Sequence, residues 1–194
     1  LAISLMLQKN NNDITIWSES QNKIDTIKKT GQLNACLPRV KLSEELKFTT
    51  SLQETCLNKD VIFVIVAAQY MADTMNNIKA FVNSDTVICI GSKGIEQDSF
   101  KFMHEIVEEI IKPKNLVVLS GPGFAIDVAH NEPVGLSIAS KSKLALNIIK
   151  KVLGSDSIKL RESNDIMGIE ICGCIKNVVA MAAGIIDGLG YKES

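Results

Sequence analysis

Val61-Ile62-Phe63-Val64-Ile65-Val66 is an unbroken apolar run of strand length. A strand with one face in water alternates apolar and polar side chains, whereas an unbroken run needs cover on both faces, as in a parallel sheet. Thr86-Val87-Ile88-Cys89-Ile90 and Leu116-Val117-Val118-Leu119 repeat the pattern. Between these runs, Tyr70–Phe81 reads as a helix. Ser99–Ile111 reads as another, with Phe100, Met103, Ile106, Val107 and Ile110 at helical spacing and Pro113 beyond its end. Strands alternating with helices predict an α/β fold built on an open, mostly parallel sheet.

Upstream, Leu1–Leu7 reads as the tail of a helix already under way, closed by the polar run Gln8–Asp13. Ile14–Trp17 alternates as a short strand, and Asn22–Lys29 suits a helix stopped by Gly31. Residues 32–57 are mixed and polar, with Pro38 among them, and give no regular element. Downstream come a short helix (Phe124–Ala129), a strand (Val134–Ala139), a helix (Ser142–Leu153) and a strand (Ile158–Arg161). Asp165–Gly190, DIMGIEICGCIKNVVAMAAGIIDGLG, then reads as one long helix capped by Asn164 or Asp165. It is apolar on nearly every face, which predicts burial under a second domain or a second copy in a homodimer.

Composition narrows the function. The hydrophobic share of 46% and charged share of 22% are those of a soluble globular protein. A net charge of −1 gives no bulk reason for nucleic acid or an anionic membrane as partner. The five cysteines lack the spacing of a disulfide framework or a zinc site, so reduced thiols in a cytoplasmic protein and no metal are expected. Glu170, Lys176 and Asn177 interrupt the long helix, so no membrane span is expected. The opening LAISLML has no basic segment before it and no cleavage site, unlike a signal peptide. Both ends read as cut from a longer chain.

In open α/β sheets, ligands bind beyond the carboxyl ends of the strands. Glu19, Gly91–Gly94 and Ser120–Gly123 fall there. An acidic side chain at Glu19 suits ribose hydroxyls and repels a 2′-phosphate, though surface glutamates after strands are common. Lys93 can reach a phosphate as a point charge, or be a solvated turn lysine. Ser120-Gly121-Pro122-Gly123 offers backbone N–H groups before a helix, as an ordinary strand-to-helix turn also does. In the long helix Gly173 lies three residues before Lys176 and four before Asn177, with Glu170 seven before Asn177, so these share one side. A buried Lys176 beside a glycine leaves room for a ligand; a snorkelling lysine on an exposed helix is the alternative. His104 and His130 have no metal-ligand spacing around them and read as structural, and Asp187 as a helix-end residue.

Together, I-T-I-W (14–17), C-L-P (36–38), I-G-S-K-G-I-E (90–96), L-S-G-P-G-F-A-I-D-V-A (119–129) and G-I-E-I-C-G-C-I-K-N-V-V-A-M-A-A-G-I-I-D-G-L-G (168–190) resemble the NAD(P)-dependent glycerol-3-phosphate dehydrogenases of the bacterial type. The resemblance runs over essentially the whole chain in order. It implies a Rossmann-like dinucleotide-binding domain over 1–162, lacking its first strand and glycine-rich loop, and the start of a truncated helical substrate domain over 163–194. It implies hydride transfer between NAD or NADP and the pair dihydroxyacetone phosphate and glycerol 3-phosphate, serving phospholipid synthesis. Lys176 matches the family's active-site lysine. Lys93, Gly121, Gly123 and Asn177 match substrate-binding positions, and Glu19, Tyr70, Lys93 and Ala125 match cofactor-binding positions. Relatives often carry arginine or histidine at the Glu19 position, so Glu19 favours NAD. Gly123 stands where asparagine, serine or threonine is common. An aspartate and an arginine–asparagine pair that complete the family's substrate site have no counterpart up to Ser194. Two other readings remain at this point: a related hydroxyacid dehydrogenase, and a non-catalytic dinucleotide-binding module.

Overall fold

The computed structural model describes residues 1–32, 37, 40–123, 125–130 and 132–190. Along the chain run α1 (Ala2–Lys9), β1 (Thr15–Trp17), α2 (Gln21–Thr30), β2 (Lys47–Thr49), α3 (Leu52–Cys56), β3 (Val61–Val64), α4 (Met71–Ile78) and β4 (Val87–Ile90). They are followed by α5 (Met103–Ile110), β5 (Asn115–Ser120), α6 (Ala125–His130), β6 (Val134–Ala139), α7 (Lys143–Leu153), β7 (Ile158–Ser163) and α8 (Ile166–Gly188). Strands β3-β4-β5-β6-β7 form one sheet in that order, parallel except between β5 and β6, and β1 pairs in parallel with β2 in a separate sheet. Lys59 Nζ donates to Thr15 Oγ1 at 3.2 Å, which sets the starts of β1 and β3 side by side.

The apolar runs are explained by cover on both faces. Ile88 and Ile90 of β4 turn toward Met71, Met75 and Ile78 of α4 and Met103, Ile106 and Val107 of α5. Val87 and Cys89 turn the other way, into a cluster with Met6 and Leu7 of α1, Val128 of α6, and Leu146, Ile149 and Leu153 of α7. All four β4 side chains are therefore buried, and burial pushes the Cys89 thiol pKa up. A third cluster of Ile27, Leu42 and Leu46 underlies β1 and β2. Gly31 ends α2 in the left-handed conformation (φ 64°), as its position past the helix predicts.

Four expectations need correction. Residues 32–57 do contain regular structure: β2 and α3, with Ser51 capping α3 by accepting from Glu54 N at 3.2 Å. The helix expected from Ser99 begins only at Met103. Glu96 draws Ser99 N (2.6 Å) and Asp98 N (3.2 Å) into a loop, and Phe100 turns to φ 57° with its side chain 77% exposed. Local side-chain acceptors outcompete the helix there.

The long helix α8 is the largest difference, because it is not buried. Its buried positions are Ile166, Glu170 and Gly173, one stripe at spacings of four and three that meets the sheet edge. Beyond them Val178, Val179, Met181, Ile185 and Ile186 are exposed, since the helix runs on past the sheet. Nor does the expectation of no membrane span hold for it on length and composition alone. Ile166–Gly188 is long and apolar enough to cross a membrane, with a mean hydropathy of 1.8. Its first turns are instead docked on β5 and β6. Cys36, Pro38 and Phe124 of the matched segments, and Tyr191–Ser194, lie outside the described residues.

Glu162 near the end of β7 ties that strand to α7 by accepting from Lys143 Nζ at 2.5 Å and Lys150 Nζ at 2.6 Å. These two bonds hold its carboxyl down from the ordinary 4.5 to about 2. A carboxyl whose pKa is lower folded than unfolded stabilises the fold above its unfolded pKa and loses that contribution as pH falls toward the folded value. Glu162→Gln should therefore lower the urea midpoint near neutral pH. The gap to wild type should narrow between pH 4.5 and about 2, and also in high salt because the pair is exposed.

Candidate active site

The chemistry-bearing turns meet where β4 and β5 end. Ser92, buried just past β4, accepts from Val66 N at 2.9 Å and so joins the turn after β4 to the turn after β3. Lys93 follows, and its Nζ donates to the Gly121 carbonyl at 3.2 Å, across to the turn after β5. Gly121 is pressed against β6: a Cβ there would stand 2.8 Å from the Gly135 carbonyl and 2.7 Å from Leu136 Cδ2. A side chain of any size would push the two strands apart.

α8 closes this corner from above. Asp165 caps it by accepting from Gly168 N at 2.8 Å. One turn on, the Glu170 carboxylate reaches the N-terminus of α5. One oxygen accepts from the His104 backbone N–H at 2.9 Å and the other bonds His104 Nδ1. Both residues are buried. An anion at a helix N-terminus satisfies an orphan donor and the helix dipole together. Burial raises the Glu170 pKa above the usual carboxylate value, and the His104 bonds oppose that rise. The helical spacing noted for Glu170 gave its face. Its partner, separated by 66 positions in sequence, carried no sequence signal.

Gly173 comes next on the same face. A Cβ there would lie 3.1 Å from Ser120 Oγ and 3.7 Å from Lys93 Cγ, so the helix backbone rides directly on the β5 end and the Lys93 stem. Beside it opens a cleft of about 490 Å³, lined among others by Ser120, Gly121, Asp165, Cys172, Gly173 and Lys176. Lys176 is half-buried. Desolvation first, and the Lys176 charge second, hold the Lys93 ammonium below its ordinary pKa of 10.5. Lys176 and the Gly121 turn line the cleft, and the Lys93 ammonium lies against that turn, so two cations meet at one corner, an arrangement that attracts an anion.

Lys93, Gly121 and Lys176 are therefore brought together. Asn177, one residue on, is exposed and is not among the cleft-lining residues. Gly123 packs against Val134, with a would-be Cβ 3.3 Å from Val134 Cγ1, and Ala125 is exposed at the first position of α6. Tyr70 ends a single 3-10 turn after β3 with its ring 60% exposed, and Glu19 is exposed two residues past β1. These two lie at strand ends apart from the cleft lining. Among the described residues no group of three or more histidine, cysteine, aspartate or glutamate side chains could hold a metal ion. The sequence marks the Ser120–Gly123 turn and the Glu170 face, but not the Ser120 side chain, Asp165 or the Glu170–His104 bond. The hydroxyl at the very end of a buried strand was the available signal for Ser120.

Comparison with known proteins is decisive at this point. The model of the NAD-dependent glycerol-3-phosphate dehydrogenase N-terminus matches residues 1–146, and that of the C-terminus matches 165–194. The chain belongs to this dehydrogenase family. It is 33% identical over its whole length to glycerol-3-phosphate dehydrogenase [NAD(P)+] of Fusobacterium nucleatum, covering 58% of that protein. It is 34% identical to the Bacillus subtilis protein of the same name, covering 57% of it. The crystal structure of glycerol-3-phosphate dehydrogenase from Coxiella burnetii superposes with a TM-score of 0.89 at 28% identity, over 99% of this chain and 59% of that one. The chain thus spans somewhat under three fifths of the length of these relatives.

The packing yields a graded expectation. Gly121→Ala should cost about 1–3 kcal/mol in chemical denaturation, because backbone must shift. Gly173→Ala should cost less, since the Ser120 hydroxyl can rotate away. Gly184→Ala, with nothing within 4 Å of the added methyl, should stabilise by about 0.5–1 kcal/mol. A Gly121→Ala variant with an unchanged midpoint would contradict the close approach to β6.

Proposed function

We propose that the protein is an oxidoreductase interconverting dihydroxyacetone phosphate and sn-glycerol 3-phosphate with NAD(P)H, supplying glycerol 3-phosphate for phospholipid synthesis in the cytoplasm. The observation that carries this reading is a cleft lined by Lys176 and the Gly121 turn, with Lys93 bonded to that turn beside Lys176, in a chain of this family. Residues 1–162 would form the dinucleotide-binding unit and 163–194 the start of the substrate domain.

The residues present fit a dinucleotide. Gly94, at φ 124°, lies so close to the chain after β3 that a Cβ would be 3.1 Å from Ala68 Cβ. The turns after β3, β4 and β5 therefore form one tightly packed rim at the carboxyl ends of parallel strands, the side where such sheets bind nucleotides. Glu19 would accept from ribose hydroxyls and Tyr70 would offer its exposed ring, with Lys93 and Ala125 along the rim. When bound there, the nicotinamide supplies the hydride to C2 of the ketone, or accepts it in reverse.

Lys176 does the complementary acid–base work. As the carbonyl gains the hydride its oxygen becomes an alkoxide, and the Lys176 ammonium donates the proton that completes the alcohol. Its charge and that of Lys93 stabilise the developing oxyanion and the phosphate, more strongly in a partly desolvated cleft than in water. Gly121 and Gly123 keep the turn open to substrate, and Asn177 orients it once the site is complete.

Full-length protein should oxidise NADH with dihydroxyacetone phosphate, and should reduce NAD with glycerol 3-phosphate but not with 3-hydroxy acids; absence of turnover with the phosphates would reject the proposal. Lys176→Ala in that protein should abolish turnover, a loss of at least a hundredfold, while cofactor binding by fluorescence stays near wild type. Retained turnover would remove Lys176 from the acid–base role. Glu19 predicts a higher kcat/KM with NADH than with NADPH, and equal values would refute that assignment.

A further inference from the structure

We propose that Glu170 and His104 form a positioning clamp that sets Lys176 over the cleft, a role that rests on the function proposed above. The clamp has the features of a fixed point. Both residues are buried, both Glu170 oxygens are engaged, and the bonds join α8 to α5, which is itself packed into the core through Met103, Ile106 and Val107. The backbone bond fixes the depth of the carboxylate at the α5 N-terminus, and the ring bond fixes its rotation.

From that point geometry leads directly to the amine. Gly173 is three residues on and Lys176 six, a rise of about 9 Å along a stiff helix. Glu170, Lys93, Ser120 and Gly173 line one void of about 10 Å³ just behind the cleft. A change in tilt or rotation at Glu170 therefore moves Gly173 off Ser120 and carries Lys176 with it. Among the described residues of α8 the buried stripe ends at Gly173, so the sheet holds the helix from its N-terminal side. Glu170 is not itself among the residues lining the cleft, so it acts on the reaction by holding the helix.

The test uses full-length protein and two readouts, steady-state kinetics and the rate at which an amine-acylating reagent labels Lys176 relative to exposed Lys151, read by mass spectrometry. Glu170→Ala should lower kcat roughly ten- to a hundredfold, leave the KM for NADH within about twofold, and raise Lys176 labelling several-fold. Glu170→Gln, which keeps an oxygen for the His104 N–H, should recover much of both. A folded Glu170→Ala with wild-type kcat and labelling overturns the clamp. If Glu170→Ala does not fold, Glu170→Gln and His104→Ala decide instead, and wild-type values in both overturn it. If wild-type protein shows no turnover, the proposed reaction falls. Labelling alone then decides the clamp: faster labelling of Lys176 in the variants upholds it, and unchanged labelling overturns it.

Discussion

The structure depends on one buried carboxylate. Taking an isolated anion out of water is among the most costly things a fold can do. Glu170 is tolerated because the α5 N-terminus supplies a backbone donor and a dipole, and the His104 ring supplies a second partner. The bonding is also demanding, because either oxygen left alone would be an uncompensated buried acceptor. That demand makes the entry of α8 a defined geometry, where a greasy contact would allow many. Ile166, one turn earlier, adds burial in the cluster built by α4 and α5 but little direction.

Once the helix is fixed there, the neighbouring residues have little freedom. Position 173 must be small because the Ser120 hydroxyl and the Lys93 stem lie against the backbone. Position 121 must be small because β6, antiparallel to β5, carries its Gly135 carbonyl across the turn. The two glycines let three elements converge closely enough for Lys93 to bond the Gly121 carbonyl while Lys176 faces the same opening. Holding two ammonium groups together is unfavourable in itself, and the Lys176 charge adds to the desolvation that depresses the Lys93 pKa. An anion bound beside them would relieve that repulsion.

Much of this was legible in the sequence, for physical reasons that differ by element. The β3, β4 and β5 runs were readable because two-sided burial removes every polar residue, a signal that needs no context. Lys93, Gly121 and Lys176 were readable because strand ends are topologically marked and a lysine in an apolar helix is rare. β2 and α3 were missed because three and five residues are too few for periodicity, although the Ser51-to-Glu54 spacing held a capping signal. The start of α5 was misjudged because Phe100 has helical spacing but no helical backbone, Glu96 having captured the amides beside it. The Glu170–His104 pair was invisible for a deeper reason: it joins elements 66 positions apart, and neither residue type announces a partner.

The misreading of α8 follows from the same logic and is instructive about the site. An all-round apolar pattern reports that every face of a helix is covered in some state of the protein, without saying by what. Within the described residues only the Ile166–Gly173 stripe meets that expectation. The exposed remainder, from Val178 to Leu189, lies beyond Lys176 in sequence. Lys176 thus sits at the boundary between the part of the helix held by the sheet and the part that is not. Its orientation is then governed from the N-terminal side, by the clamp and the glycine contact. Whatever covers the far half would act on the depth and dryness of the cleft more than on where Lys176 points.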